Sequence, residues 1–486
     1  MNCFAQRCGV FDAAAAERVQ QSVRDWGLDQ VRVAWCDAHG LLRGKTLMPQ
    51  ALRAAFEDGV GMVSTLMLKD TSDRTALKVF EAGALDALPG FGRANNLLLL
   101  PDAASFRVLP WAPGTGWLQC QPWFEDATPV PIDPRRALQS ALAQLAAAGY
   151  GLVCGLEVEF HVYRIDDDSA DPAEAGWPGE PPRLSLLHPG YQLLGEAHAD
   201  LADEALAIVR RTAQGLQLPL RSLEIELGPS QVEAVFDATD ALAAADQMVL
   251  FRNGVRQALR RAGYWASFVC RPPFAQVMSS GWHLHQSLRR LADGRHAFVR
   301  DTAADVPRDD ARHWLSDTGC AWLAGLLAHA RGMALCCTTT VGGYERFRPN
   351  AMAPVAVQWG RDHRGALLRV LGGAGDTATR IENRLGEPMA CPYLYIAAQV
   401  HAGLAGLRQG LLPAPATDTP YAGEHQKLPA DLAEAIHDFR HDAVMQQGFG
   451  APLAHAYAAI KQSEQARHAQ AEDKAAWQRR EYFSRY

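Results

Sequence analysis

The chain has no CxxC pair and no regular cysteine spacing, although ten cysteines are scattered along it (Cys3, Cys8, Cys36, Cys120, Cys154, Cys270, Cys320, Cys336, Cys337 and Cys391). That pattern excludes a disulfide framework and predicts buried thiols in a reducing compartment. Basic residues are not in excess. Lys and Arg number 47 against 54 Asp and Glu, a formal charge of −7, so the electrostatic footprint of a nucleic-acid binder is missing. The opening MNCFAQRCGVFDAAAAERV lacks a basic start followed by an apolar run, so no secretory signal is expected. Long hydrophobic runs are also missing. The most apolar stretch, CAWLAGLLAHARGMALCC, is broken by His329 and Arg331 and falls short of a membrane span. No internal repeat stands out. These absences predict a soluble, cytoplasmic protein with neither nucleic acid nor membrane as partner.

What is present is ordinary globular composition, 48% hydrophobic and 21% charged, in 486 residues, enough for two or more packed units. Residues 12–26 are Ala-rich and suit a short helix. Short strand-like runs such as VRVAWCD and NNLLLL then alternate with Gly and Asp turns to about residue 120. The stretch LPWAPGTGW punctuates the chain, and DATPVPIDP leads into a helix, PRRALQSALAQLAAAGY. Beyond it, strands alternate with long helices, among them DARHWLSDTGCAWLAGLLAHARG. The acidic, Pro-rich segment 166–182 reads as a loop, and the tail 451–486 as a charged surface helix. Gly40-Leu-Leu-Arg-Gly44-Lys45-Thr46 has three residues between its glycines where a phosphate loop needs four, and reads as a turn between strands. A small β-rich N-terminal unit and a large α+β C-terminal unit are expected.

The chemistry lies in alternating segments. In GLEVEFHVY, Leu156, Val158, Phe160 and Val162 take one face of a strand and Glu157, Glu159, His161 and Tyr163 the other. Carboxylates this close repel and raise each other's pKa unless a cation lies between them. RSLEIEL repeats the pattern with Glu224 and Glu226, followed by GPSQ and Glu233. In WHLHQSL it is His283, His285 and Ser287 that share a face, and in ATRIENR it is Arg380, Glu382 and Arg384. If these strands are neighbours, one sheet face gathers carboxylates, two imidazoles and several guanidinium groups. Hard oxygen donors with an occasional imidazole suit Mg²⁺ or Mn²⁺ better than zinc. Arginines beside such ions point to phosphates.

In order and spacing, GLEVEF, ELGPSQVE, SGWHLHQSL, GYERFRPNAMAP, WGRDHRGALLRV and RIENRLGEPMACPYLYIAAQ resemble the glutamine synthetase family. The resemblance implies a helical extension (1–28), a small β-grasp domain (29–125) and a catalytic domain (126–486) with a curved antiparallel sheet flanked by helices. It also implies ring homo-oligomers, hexamers or dodecamers, with each active site completed by a neighbour's N-terminal domain. Carried over, one metal matches Glu159, Glu226 and Glu233, and a second matches Glu157, His283 and Glu382. His285, Ser287, Arg369 and Arg380 match nucleotide contacts. Arg346 matches the arginine that holds the substrate's α-carboxylate, and Arg364 and Arg384 match those that stabilise the phosphoryl group. The implied activity is that of an ATP-dependent ligase with two to three Mg²⁺ or Mn²⁺ ions per site, joining glutamate to an amine through γ-glutamyl phosphate.

The sequence departs from the family where ammonium would bind. Met352 stands at the position of the glutamate that closes over the intermediate. The N-terminal Asp-Gly-Ser-Ser motif is missing, its nearest counterpart being GMVST, and neither Asp70 nor Asp73 is placed by sequence. Met278 stands for a glutamate-contacting asparagine. Methionine cannot act as a base but offers an adaptable apolar surface. The expectation is an organic amine, hydrophobic or aromatic ahead of a polyamine. An ammonia-using glutamine synthetase and a catalytically silent relative remain the alternatives. Trp282 is read as core, and His161 as a satisfied neighbour of the ligands or a surface group.

Overall fold

The computed structural model describes residues 2–169, 172, 175–349 and 351–486. The Pro-rich loop and the RFRPNAMAP segment therefore each lie partly outside the described residues.

Two helices, Phe4–Arg7 and Ala13–Asp25, precede the first strand; Asp12 caps the second by accepting from Ala15 N at 2.9 Å. The N-terminal sheet runs Leu42–Leu47, Gln30–Cys36, Thr115–Phe124, Asn96–Pro101, Val60–Val63, with Arg107–Val108 beside Thr115–Phe124. Its central pair, Gln30–Cys36 with Thr115–Phe124, is parallel and the rest antiparallel. LPWAPGTGW is thus a turn whose last three residues, Thr115–Trp117, open the strand. The would-be phosphate loop is a turn at Gly40 (φ 75) followed by the strand Leu42–Leu47.

The second sheet has nine strands, in the order Trp359–Arg361, Leu368–Leu371, Arg380–Asn383, Trp282–Arg290, Tyr150–Asp167, Gln231–Asp240, Leu220–Ile225; Tyr264–Ser267 and Arg183–Leu186 also pair with the long strand Tyr150–Asp167. It is antiparallel except for the short parallel edge pair Trp359–Arg361 and Leu368–Leu371. Leu156, Val158, Phe160 and Val162 are buried beneath it, as the alternation requires. Trp282 is core, edge-on to Tyr395 at 4.8 Å.

Two elements differ from the sequence reading. The apolar stretch forms two helices, Asp317–Ala328 and Ala330–Cys337, bent by 76°, and no single described helix is long and apolar enough to cross a membrane. These helices are buried by protein: a Cβ on Gly406 of the helix Pro392–Gln409 would collide with the Ala321 carbonyl. The tail, in turn, is not a surface helix. Lys461 and Glu464 are buried as an ion pair at 3.0 Å, and Tyr482, Phe483 and Tyr486 join a core cluster with Tyr163 and Met389. Paired charges one turn apart read as surface in sequence, yet can be buried once they neutralise each other.

Buried Arg252 ties the two sheets' surroundings together, donating to the carbonyls of Gly40 (2.6 Å), Pro388 (2.7 Å) and Ala390 (3.1 Å).

Candidate active site

Strand register builds the site. Glu233 lies directly opposite both Glu159 and Glu224, Glu157 opposite His283, and Glu382 opposite both His285 and Arg369. Directly opposed residues share a sheet face, so side chains from six strands converge. Glu159, Glu226 and Glu233 bring carboxylate oxygens within 4.8 Å of one another. Glu157 forms such a group with His285 and Glu382, and another with Glu233 and His283. His283 Nδ1 lies 3.5 Å from Glu157 and 3.7 Å from Glu382, so the second sequence-derived triad is also gathered. His285 serves the same pocket: its Nε2 is 2.9 Å from Glu157 Oε1, while Nδ1 accepts from Arg380 Nε at 3.1 Å. An arginine nitrogen can only donate, which leaves the His285 proton on Nε2, facing Glu157.

The electrostatics divide the cluster in two. Burial first, then Glu226, pushes Glu159 up to about 8. Burial and the surrounding carboxylates, Glu159 foremost, push Glu233 up to about 10, and burial also raises Glu226. Burial works against Glu382 too, but Arg384 and the two histidines outweigh it and hold it down at about 2. Glu157 is likewise lowered, burial being overcome by hydrogen bonds from His283 and His285. Three carboxylates therefore want a cation that the protein itself does not supply, and the donor set of hard oxygens with imidazole fits Mg²⁺ or Mn²⁺.

A pH dependence follows. A carboxyl whose folded pKa lies above its unfolded value binds more protons when folded, so stability falls as pH rises from the unfolded pKa to the folded one. For Glu159 and Glu233 that window opens near the ordinary carboxyl range and closes near about 8 and about 10. Metal-free protein should lose thermal stability steadily from pH 5 to pH 8, by about 1.4 kcal/mol per pH unit for each proton retained. Mn²⁺ should restore more at pH 8 than at pH 6, which differential scanning fluorimetry with and without the ion reads directly.

Arginines frame the cluster. Glu382 accepts from Arg384 Nη1 and from Arg369 Nη1 (2.9 Å), and Arg369 also reaches Asp362. Arg384 Nη2 donates to the Met352 carbonyl at 3.1 Å, which brings Met352 to the rim; its side chain is 58% exposed on a left-handed backbone (φ 50). Arg346 is 5% exposed, braced by the carbonyls of Arg384, Leu385 (3.3 Å) and Gly386 (3.0 Å), with no carboxylate within 4.0 Å among the described residues. The buried Ser287 hydroxyl has no partner there either. Arg364 is not drawn in: it is exposed on the loop before Leu368–Leu371. Met278 packs at the position where a side chain on Gly228 would stand.

Asp70 is spent within its own chain. It accepts from Ser463 Oγ (3.0 Å) and Arg467 Nε (3.1 Å) of the C-terminal helix, and from the backbone of Ser72 and Arg74. Asp73 pairs with Arg43 at 2.7 Å. His161 is fully buried, Nδ1 3.3 Å from Ser280 Oγ and Nε2 without a partner, so it is neither a surface group nor fully satisfied. Sequence reasoning passed over Gln231. Its amide nitrogen holds Glu159 Oε2 at 3.1 Å, joined there by Gly281 N at 3.0 Å, and its amide oxygen accepts from Gly228 N at 2.9 Å. The signal was its place two residues before Glu233, on the same strand face.

A family model described as glutamine synthetase, catalytic domain, matches residues 131–482. The chain is 35% identical to a gamma-glutamylanilide synthase of Acinetobacter sp. over 487 aligned positions, covering 97% of this chain and 96% of the relative. It is 30% identical to a gamma-glutamylethanolamide synthetase of Streptomyces coelicolor, covering 89% and 88%. The solved structure of ligand-free GmaS superposes with a TM-score of 0.75 at 28% identity, covering 95% of this chain and 98% of that one. With the carboxylate–histidine sheet face in place and the match running through most of its length, this chain belongs to the glutamine synthetase family.

Proposed function

We propose that the protein is an ATP-dependent γ-glutamyl-amine ligase whose amine is organic and apolar, aromatic in preference. The observation that carries this reading is Met352, an exposed methionine held at the rim by its backbone carbonyl on Arg384, where the family resemblance puts the carboxylate that ammonium chemistry uses. The relatives named for an anilide and an ethanolamide product and for isopropylamine as substrate support an organic amine as acceptor.

The residues divide the work as follows. Arg346, a buried cation with no carboxylate beside it, suits the α-carboxylate of glutamate, since a buried charge needs a partner. Glu159, Glu226 and Glu233 would hold one divalent ion, and Glu157, His283 and Glu382 another. Bound ions supply charge neutralisation between phosphates and align the reacting oxygens. Ser287, with its unpaired hydroxyl, and His285, Arg369 and Arg380 suit the nucleotide's phosphates. Arg384 would stabilise charge on the phosphoryl group as it passes from ATP to the glutamate γ-carboxylate; such transfer is chiefly positioning and electrostatics. Arg364, exposed on the loop before Leu368–Leu371, would join it only if that loop moved inward. The amine nitrogen then attacks the acyl carbon, phosphate leaves, and the nitrogen loses a proton. An aromatic amine arrives neutral and needs no base before attack, which a methionine wall tolerates. The ring assembly and the three-part domain division (1–28, 29–125, 126–486) belong to this proposal.

Phosphate release over a panel of ammonium, ethanolamine, isopropylamine, aniline and putrescine, with glutamate, ATP and Mg²⁺, tests it. Aniline or an alkylamine should give the highest kcat/KM. Comparable turnover with ammonium alone would overturn the reading. Met352→Glu should raise kcat/KM for ammonium roughly tenfold or more and lower it for aniline, as expected when a negative charge replaces an apolar contact worth about 1–3 kcal/mol.

A further inference from the structure

Away from the carboxylate cluster, a cavity of about 250 Å³ is lined by Asn253, Arg256, Gln257, Arg260, Tyr264 and Trp265. Its acceptors are spent. Gln257 Oε1 accepts from Arg32 Nη1 (2.9 Å) and Trp111 Nε1 (3.0 Å), and Asn253 Oδ1 accepts from Gln257 Nε2 at 3.0 Å. Its donors are not. Arg256, half-buried on the helix Ala241–Arg261, has no carboxylate within 4.0 Å and no side-chain hydrogen bond among the described residues. Arg260 commits one nitrogen to Asp168 and leaves Nη1 buried with no partner among the described residues. The Trp265 indole N–H is likewise buried and unpaired, and the Arg260 guanidinium lies over its ring at 5.4 Å. Arg252, one turn earlier, adds a second buried guanidinium satisfied only by carbonyls. Burial first, then Arg252, pushes Arg256 down to about 10, the direction expected for a cation lacking a counter-charge.

We propose that this cavity is a binding site for a small oxyanion, a phosphate or an organic carboxylate, distinct from the catalytic centre and held by Arg256, Arg260 Nη1 and the Trp265 indole N–H. Neutral ligands would leave the cations uncompensated, whereas an oxyanion supplies both a counter-charge for the guanidinium groups and acceptor oxygens for donors that lack one. The cavity also touches two structural joints. The strand Tyr264–Ser267 pairs with the long strand just past Glu159, Trp265 opposite Tyr163 and Ser267 opposite His161. Gln257 ties the helix to Arg32 and Trp111 of the N-terminal part.

The test is isothermal titration calorimetry on the full chain with inorganic phosphate in one arm and glutarate in the other; the arm whose Arg256-dependent event is tighter identifies the source of the oxyanion. Arg256→Gln should weaken binding roughly tenfold or more, the scale of a lost charge-assisted hydrogen bond, with ligase activity measured without the anion kept within about twofold, the site being separate. Glutarate bound at the catalytic centre through Arg346 should give a separate event that disappears in Arg346→Gln, while the Arg256-dependent event persists in that variant. Trp265→Phe, which removes the indole N–H together with one of the two fused rings, gives a second reading of the same site should Arg256→Gln fail to fold, and should weaken binding several-fold. No binding by wild type in either arm would overturn the proposal. So would a single binding event that is lost in Arg346→Gln but kept in Arg256→Gln, or a change of oligomeric state in Arg256→Gln with anion binding intact.

Discussion

Glu233→Gln is expected to stabilise the metal-free protein at pH 8 while nearly abolishing its metal-dependent activity. Glu233 is 8% exposed and makes no hydrogen bond among the described residues, and it lies directly opposite Glu159 and Glu224 on the sheet face. Burial and these neighbouring carboxylates push it up to about 10. The unfolded chain would release this proton near the ordinary carboxyl range, so holding it costs stability throughout neutral pH. A neutral isostere, which holds no proton to release, removes that cost. The same substitution removes an anionic oxygen from the Glu159–Glu226–Glu233 group. Ligase turnover should fall roughly 10²–10³-fold, the scale of losing one preorganised charge-stabilising group. Urea unfolding of the metal-free protein at pH 6 and pH 8, set beside Mn²⁺ titrations of activity, separates the two effects. The gain in midpoint should be larger at pH 8. A loss of stability at pH 8 would show that Glu233 is paired in a way its surroundings do not reveal.

This opposition between stability and chemistry was the most legible feature of the sequence. Strand side chains repeat every two residues, so ligands on strands announce themselves as alternation: Glu157 with Glu159, His283 with His285, Glu382 between Arg380 and Arg384. The cross-strand register then brings those segments into contact. Residues on irregular backbone carry no such signal. Met352 and Arg346 could be placed only by resemblance, and their contacts, carbonyls in both cases, leave no trace in residue type. Gln231 was hidden for a related reason: it acts by orienting Glu159, and an amide has no charge to draw attention. The buried tail was misread because Lys461 and Glu464 neutralise each other one turn apart. The cavity at Arg256 was invisible because its defining property is a missing partner, which only the packed chain can show.

Glu382→Ala should do the reverse of Glu233→Gln and destabilise the protein with or without metal. Glu382 is 0% exposed and central: Arg384 and Arg369 both donate to it, and His283 Nδ1 lies 3.7 Å away. Removing it strands the buried Arg384 guanidinium and leaves Arg369 with Asp362 alone, a loss of about 3–5 kcal/mol by comparison with other broken buried pairs. The pH sign is also opposite. Burial would raise Glu382, but Arg384 and then the histidines lower it to about 2, so its contribution is present above the ordinary carboxyl pKa and is lost as pH falls through about 2. The destabilisation should therefore be nearly constant from pH 6 to pH 8 and shrink below pH 4. Arg384 also holds the Met352 carbonyl, so releasing it frees the rim of the amine site. KM for the amine should rise along with the loss of kcat, whereas Glu233→Gln should leave the amine KM unchanged. Denaturation midpoints across pH with the amine KM of both variants test this. A Glu382→Ala variant as stable as wild type would mean that the two arginines find other partners, and the ion-pair frame around the site would have to be redrawn.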